Sequence, residues 1–93
     1  MKNQLSHTSL INTSAYTLAL NDVLATPAGR FVLAGLLEAY GIRQSCFDPD
    51  PHLHAFRSGM QNAGLMLEDL IATRASAHYL TLLQETPNYA QEV

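Results

Sequence analysis

The chain has 93 residues, of which 47% are hydrophobic and 14% are charged, and its formal net charge is −3. This composition is typical of one small globular domain and excludes the polar, highly charged composition of a disordered chain. The five basic residues are scattered singly. This scatter disfavours nucleic acid as a partner, because phosphate binding depends on clustered positive charge. A basic stripe formed on folding is left open as the alternative.

The sequence shows neither a secretion signal nor a membrane segment. Residues 1–12 lack a long apolar run with a small-residue cleavage site, and no stretch approaches the roughly 20 apolar residues that cross a bilayer. We therefore expect a cytoplasmic protein, or one assembled in the cytoplasm. Cys46 is the single cysteine, so no disulfide can form within the chain, and we expect it to be a half-buried apolar side chain.

The N-terminal part of the chain divides into an arm and a first helix. Residues 1–14 are polar and rich in Ser, Thr and Asn, which predicts a flexible arm. Residues 15–25 contain good helix formers, with their larger apolar side chains close to one face. We therefore expect a short first helix here, at the start of a single helical domain that spans residues 15–86.

A second helix is predicted to begin at Thr26 and Pro27. Threonine is a favourable N-cap, and proline suits the first helical position because its missing N–H has no partner there. The helix should run to about Tyr40, and Gly41 can adopt the left-handed conformation that ends a helix. Apolar residues cover much of its circumference, which predicts a central position in the fold or in an assembly.

A third helix is predicted from Pro51 to about Thr73, with Asp50 as its N-cap. Its apolar residues are spaced 3, 4, 3, 4 and 3 apart and form a heptad-like seam: Leu53, Phe56, Met60, Ala63, Leu67 and Leu70. We expect this seam to pack on residues 31–40 of the second helix. Glycine lowers helix stability, so Gly59 and Gly64 predict the close approach of another helix.

The last helix is predicted from a cap at Ser76 to about Glu85. Pro87 should end it, which leaves residues 87–93 as a C-terminal tail. No alternation of the kind that marks strands appears in the chain. We therefore predict an all-α fold, a small bundle of three to four helices whose core the last helix closes.

No group of residues in the sequence predicts catalysis, a cofactor or a metal. His52 and His54 lie near two aspartates, but residues two apart on a helix point about 200° apart, so we expect two exposed histidines. Glu68 and Asp69 are adjacent and project differently, which argues against an acid–base pair. There is also no phosphate-binding glycine loop. We predict a protein that is not an enzyme and binds neither cofactor nor metal.

The second and third predicted helices could also be interpreted as a DNA-binding helix–turn–helix. Their connector has about nine residues, whereas the turn of that motif has roughly three or four. Acidic Asp48 and Asp50 would also face the phosphates. Both features disfavour this interpretation.

About two thirds of the chain, from Thr26 to Glu85, is similar to the Bbp-nineteen-like family of small tailed-bacteriophage (podovirus) proteins. The similarity is carried by TPAGRFVLAGLL at 26–37, Gly41 with Ile42, Ser45, Phe47, AFRSGMQNAGLML at 55–67, and the leucine-rich segment 80–83 followed by Glu85. The chain departs from the family at Met60 and Gln61, where we expect two arginines. Arg57 supplies part of that charge one turn earlier.

The resemblance implies a small phage protein whose gene lies near those for the portal and the head. We therefore predict a virion structural or assembly protein, either an internal, ejection-associated or head–tail component. It should act through helix-mediated contacts with other virion proteins or with copies of itself, in the host cytoplasm and then in the virion. The small core also favours an oligomer, because its unburied apolar faces need a partner.

The predicted contact residues are the seam residues Leu53, Phe56, Met60 and Leu67, with exposed Arg30 and Arg57 setting the register. The alternative function is a soluble phage regulator that binds and inhibits a host protein, for which small size and acidic charge are suited. A DNA-binding regulator is the third.

Overall fold

The computed structural model describes residues 9–90 of the chain, and this part contains four α-helices. A short 3-10 turn at Leu10–Asn12 precedes helices α1 (Ser14–Leu24), α2 (Pro27–Ala39), α3 (Pro51–Arg74) and α4 (Ser76–Ala90). No strand occurs among the described residues. The predicted all-α bundle is therefore confirmed.

The starts of α2 and α3 follow from the capping residues in the sequence. Thr26 Oγ1 accepts a hydrogen bond from the backbone N–H of Gly29 at 3.0 Å. Asp50 Oδ1 accepts one from the backbone N–H of His52 at 2.9 Å. A proline follows each cap at the first helical position, where its missing N–H costs no helical hydrogen bond. Both predicted starts are confirmed.

Gly41 ends α2 as predicted. Its φ is +74°, in the left-handed region that glycine enters without strain. Its N–H donates to the carbonyl of Glu38 at 2.9 Å, which satisfies one of the free carbonyls at the helix end. The chain then turns into the connector, residues 40–50, that leads to α3.

The core is small and draws on all four helices. Its buried members are Leu20, Leu24, Ala34, Leu37, Ile71, Ala75 and Leu82. Leu33, Ile42, Leu67, Leu70 and Tyr79 are partly buried against them. Burial of this kind stabilises by about 25 cal/mol per Å² of apolar surface, so this cluster is the main source of stability in the described part of the chain.

The predicted seam of α3 does not pack as a whole on α2, and that prediction is wrong for its N-terminal half. The residues of α3 that face the core are Gly64 and Ile71, whereas Leu53 and Phe56 are exposed. The cause is length: α3 has 24 residues, about 36 Å, and α2 has 13, about 20 Å. Of the six seam residues, only Leu67 and Leu70, in the C-terminal half of α3, pack against the core.

Gly64 lies where the connector presses on α3. A Cβ at this position would lie 2.5 Å from Tyr40 Cβ and 2.6 Å from Ile42 Cγ2, so only glycine fits without movement. The predicted close approach is therefore confirmed for Gly64, although the element that approaches is the end of α2 and the connector. At Gly59 no atom of the described part of the chain lies within 4 Å of a Cβ position, so the fold of one copy does not show the approach predicted there.

Helix α4 begins one residue away from the predicted cap and extends further than predicted. Ser76 is the first helical residue, and the carbonyl of Ala75 accepts the first helical bond, from Tyr79 N–H at 2.9 Å. The prediction that Pro87 ends the helix is wrong, since α4 continues to Ala90. Close to a helix end, a proline removes one hydrogen bond without dividing the helix into two parts.

The predicted arm and tail fall partly outside the described residues. Residues 1–8 and 91–93 lie outside them. Residues 9–14 include the 3-10 turn and the first residue of α1, and Thr13 caps α1 by accepting from Tyr16 N–H at 3.1 Å. Helix α1 thus begins at Ser14, one residue before the predicted start. The domain bounds at 15 and 86 stay predictions.

Candidate interaction surfaces

Arg30 is a structural residue of the bundle. Its guanidinium donates to both carboxylate oxygens of Glu85, at 2.8 and 3.1 Å, and to the carbonyl of Leu24 at 2.9 Å. The side chain is 11% exposed. The prediction that Arg30 is exposed is therefore wrong, because Glu85 on α4 draws the guanidinium against the bundle. The fork geometry of arginine joins α1, α2 and α4 at one point.

A second polar group joins the connector to α3 and α4. Arg43 donates to the two carboxylate oxygens of Glu68 at 3.3 and 2.6 Å, and the Tyr79 hydroxyl donates to the same carboxylate at 3.0 Å. The hydrogen bond from Arg43 lowers the pKa of Glu68, in opposition to the effect of burial. Burial, followed by the bond to Glu68, raises the pKa of Tyr79. Both pKa shifts therefore come from the contacts that join the connector, α3 and α4.

Arg57 and Gln61 both hold the connector on the N-terminal half of α3. Arg57 Nη1 lies 3.3 Å from Asp48 Oδ2, and the arginine side chain is half exposed, as predicted. The Gln61 side-chain amide donates to the carbonyls of Gly41 and Gln44, at 3.0 and 2.7 Å. Position 61 is one of the two where the family pattern predicts arginine. In this chain it carries Gln61, whose side-chain amide donates to the connector.

The two histidines at the start of α3 differ in exposure. His52 is exposed as predicted, but His54 is half buried because the ring of Phe47 lies edge-on to it at a centroid distance of 6.1 Å. Cys46 is half buried as predicted, with Sγ 3.3 Å from Ser58 Oγ. Within residues 9–90, no three His, Cys, Asp or Glu side chains are grouped closely enough to hold a metal ion.

Large apolar side chains are more often exposed than buried in the described part of the chain. The core has seven apolar members, whereas fourteen large apolar side chains are exposed. Single exposed apolar residues are ordinary, but several together on one helix face indicate a contact surface. Of the fourteen, three lie on α2 and four on α3.

The α2 face is an apolar stripe formed by Phe31, Val32, Gly35 and Leu36. The three large side chains are between 45% and 58% exposed. No atom lies within 4 Å of a Cβ placed at Gly35, so the centre of the stripe is open to solvent. The sequence predicted a central helix that is apolar over much of its circumference, but we did not predict any of these residues as contact residues. Helix α2 contacts the other three helices through the opposite face, where Ala34 and Leu37 are buried, and this leaves the stripe exposed.

The predicted seam of α3 divides into two parts of different shape. Its N-terminal part, the α3 ridge, consists of exposed Leu53 and Phe56. Its C-terminal part lines a groove of roughly 460 Å³ beside the 3-10 turn and α1, which we call the seam groove. The groove is lined by Ile11, Tyr16, Ala63, Met66, Leu67, Asp69, Leu70, Thr73 and Arg74. Met60 is half buried between the two parts.

A smaller cleft lies between the end of α2, the connector and α4. Its volume is about 290 Å³, and Leu37, Ile42 and Leu83 form much of its wall. Sites for small organic ligands have volumes of about 300–1,000 Å³ and a few convergent polar groups. Arg43 and Glu68 at this cleft already bond to each other, so it is a weaker candidate than the two helix surfaces.

The fold and these surfaces define a small helical protein with unburied apolar helix faces. No helix in the described part is long and apolar enough to cross a membrane. The sequence profile of the Bbp19-like phage proteins matches residues 20–84, and the chain belongs to this family. The predicted resemblance is thereby confirmed. Searches among curated proteins and among solved structures found no match.

Several residues that carry the family resemblance have a structural role. Thr26 caps α2, and Gly29 lies so close to the end of α1 that its Cβ would be 1.8 Å from the carbonyl oxygen of Val23. Gly41 and Gly64 permit the turn after α2 and its contact with α3. The motifs therefore encode helix ends and close contacts. Because these residues shape the fold, the motifs indicate the fold of the protein but not a chemical activity.

Proposed function

We propose that the chain is a non-enzymatic structural or assembly component of a phage particle, acting through protein–protein contacts of its helices. The observation that carries the proposal is the pair of unburied apolar surfaces, the α2 face and the α3 ridge with its seam groove. Membership in a phage protein family supports the setting. Other virion proteins and copies of the chain are the partners, and the protein passes from the host cytoplasm into the virion.

The energetics of the α2 face favour a partner. Each large apolar side chain gains about 1.5–3 kcal/mol when fully buried, and aromatic residues are enriched at the centres of interfaces. Phe31, Val32 and Leu36 are only about half buried in the described structure, so part of this gain is left for a partner. Glycine inside a helix costs about 0.5–1 kcal/mol relative to alanine, and Gly35 contacts nothing that requires it. A partner helix packed closely on this face gives both features a function.

The distribution of polar side chains supports a non-enzymatic role. Among the described residues, three arginines pair with carboxylates, as in Arg30 with Glu85 and Arg43 with Glu68. A catalytic site needs such groups to converge on an open pocket where a substrate can reach them. In this protein they hold the bundle together.

Complementation of a phage that lacks the gene tests the proposal. We expect Phe31→Asp to fold but to fail in the production of infectious particles, because a buried unpaired carboxylate is costly at an interface. The matched control is Leu18→Asp, which alters an exposed leucine on α1 outside both surfaces. Circular dichroism of both purified variants establishes that they fold. Equal rescue by both variants would refute the assignment of the α2 face.

A further inference from the structure

The two parts of the α3 seam have complementary shapes. Leu53 and Phe56 project from the N-terminal half, which has no covering helix. Leu67 and Leu70 lie in the C-terminal half, at the wall of the seam groove. Both parts belong to one face of a single continuous helix, with Met60 and Ala63 at the centre of that face. A surface that carries a ridge and a matching groove at opposite ends can pair with a copy of itself.

We propose that two copies of the chain pair through α3 in an antiparallel arrangement, with the ridge of each in the seam groove of the other. A two-fold axis between positions 60 and 63 places Leu53 opposite Leu70, Phe56 opposite Leu67 and Met60 opposite Ala63. Such an interface uses the same patch on both copies, as two-fold dimers do. The inference rests on the proposed function and deepens it by naming a second copy as a partner.

The exposed apolar area is close to what a stable dimer needs. Leu53, Phe56, Met66 and Ile11 are between 44% and 67% exposed. With about 200 Å² for a large side chain, they expose roughly 440 Å². A standard interface buries about 800 Å² on each side, and about 60% of that area, roughly 480 Å², is apolar. The ridge and groove residues therefore supply nearly the whole apolar part of such an interface.

Charge decides the direction of the pairing. Asp50 caps the start of α3, and Arg74 is the basic residue of its last turn, at the end of the seam groove. An antiparallel pair places Asp50 of one copy near Arg74 of the other and sets the helix dipoles in opposite directions, both of which are favourable. A parallel pair would place two aspartates together at one end and two arginines at the other.

The backbone of α3 also permits close approach at the centre of the pair. Gly59 has no atom within 4 Å of its Cβ position, and Ala63 is exposed one turn later. Small residues four apart on one helix face allow two helices to come near each other and to interlock their larger side chains. This accounts for Gly59, which the contacts within one copy do not require.

Disulfide cross-linking tests the pairing and its direction in the full chain. In a Cys46→Ser background, the double variant Leu53→Cys with Leu70→Cys should form a covalent dimer on mild oxidation. The two positions are about 26 Å apart along one helix, so their thiols cannot bond within one copy. Each single variant should remain without a covalent cross-link, because the antiparallel arrangement holds its two thiols apart. Adding Phe56→Asp should reduce the cross-linked yield and weaken association by at least about 30-fold, whereas adding Leu18→Asp should not.

Two outcomes overturn the pairing. Cross-linking of the Leu53→Cys single variant would show a parallel pair. The dimer would be excluded if the unaltered chain sedimented as a monomer at 100 µM and the double variant formed no cross-link. That concentration is about a hundred times a micromolar Kd. If the double variant forms covalent dimers but the protein is absent from phage particles, the pairing is supported and the proposed function is refuted. If the protein is a monomer but is present in particles, the pairing is refuted and the proposed function is supported.

Discussion

The Arg30–Glu85 pair shows at the scale of single residues how side chains hold this small bundle together. The guanidinium also binds the carbonyl at the end of α1, so one residue fixes three helices. Replacement by Leu should lower the free energy of unfolding by about 1.5–3 kcal/mol, as is usual for hydrogen bonds to a charged group. Urea denaturation measures the change. In the control Arg57→Leu, whose pair with Asp48 is half exposed, the loss should be at most about 1 kcal/mol. Equal losses would contradict the structural role of Arg30.

Glu68 should make the stability depend on pH. Because Arg43 lowers its pKa in the folded state, the ionised carboxylate stabilises the fold at neutral pH. That contribution is fully present above about pH 4.3, the ordinary pKa of glutamate, and is lost as the pH falls through the lower, folded-state pKa.

The variant Glu68→Gln should therefore be less stable than the parent at pH 7, and its stability should fall less between pH 5 and pH 3. Thermal unfolding at a series of pH values measures both effects. Glu38→Gln is the control, since Glu38 is an exposed glutamate with no side-chain hydrogen bond or ion pair to another residue in the range 9–90. A parallel pH dependence for parent and Glu68→Gln would exclude the coupling to Arg43.

At the scale of helices, the contact between the connector and α3 depends on Gly64. A methyl group there overlaps Tyr40 and Ile42, and overpacking of this kind costs about 1–3 kcal/mol. We expect Gly64→Ala to lower the urea midpoint of the isolated protein. The matched variant Gly59→Ala, on the same helix and in open space, should raise stability by about 0.5–1 kcal/mol. The opposite order of the two midpoints would show that the connector does not pack on α3 as described.

The helix starts could be predicted from the sequence because capping is local. Thr26 with Pro27, Asp50 with Pro51, and Gly41 each act through their own backbone neighbours, so their roles are visible without tertiary structure. The use of the α3 seam could not be predicted in the same way. Its spacing shows that its members share a face, but only the shorter lengths of the packed helices leave Leu53 and Phe56 exposed.

The errors at Arg30 and Pro87 also have non-local causes. Arg30 is buried by an acidic partner 55 residues later in the chain, which no local pattern indicates. Pro87 stands near the end of its helix, where a missing N–H is tolerated. The α2 face was missed as a contact surface because a helix that is apolar on most sides gives no sign of which side a partner covers.

At the scale of the whole molecule, the chain has too little core for its apolar content. Seven apolar residues are buried in the core while fourteen large ones are exposed among the described residues, and half of the exposed ones lie on α2 and α3. Two separate surfaces permit one contact with a second copy and another with a different protein, as an assembly component requires. The chain belongs to a family of phage proteins, which is the setting in which we propose these contacts.

The most direct test of the central claim is the sedimentation of the tagged chain in lysates of cells infected by the phage that encodes it. We predict that the protein co-sediments with heads or complete particles at a fixed copy number, and that Phe31→Asp moves it to the light fractions. Recovery of the unaltered protein only in the light fractions, bound to a host protein, would contradict the claim and identify a regulator of the host.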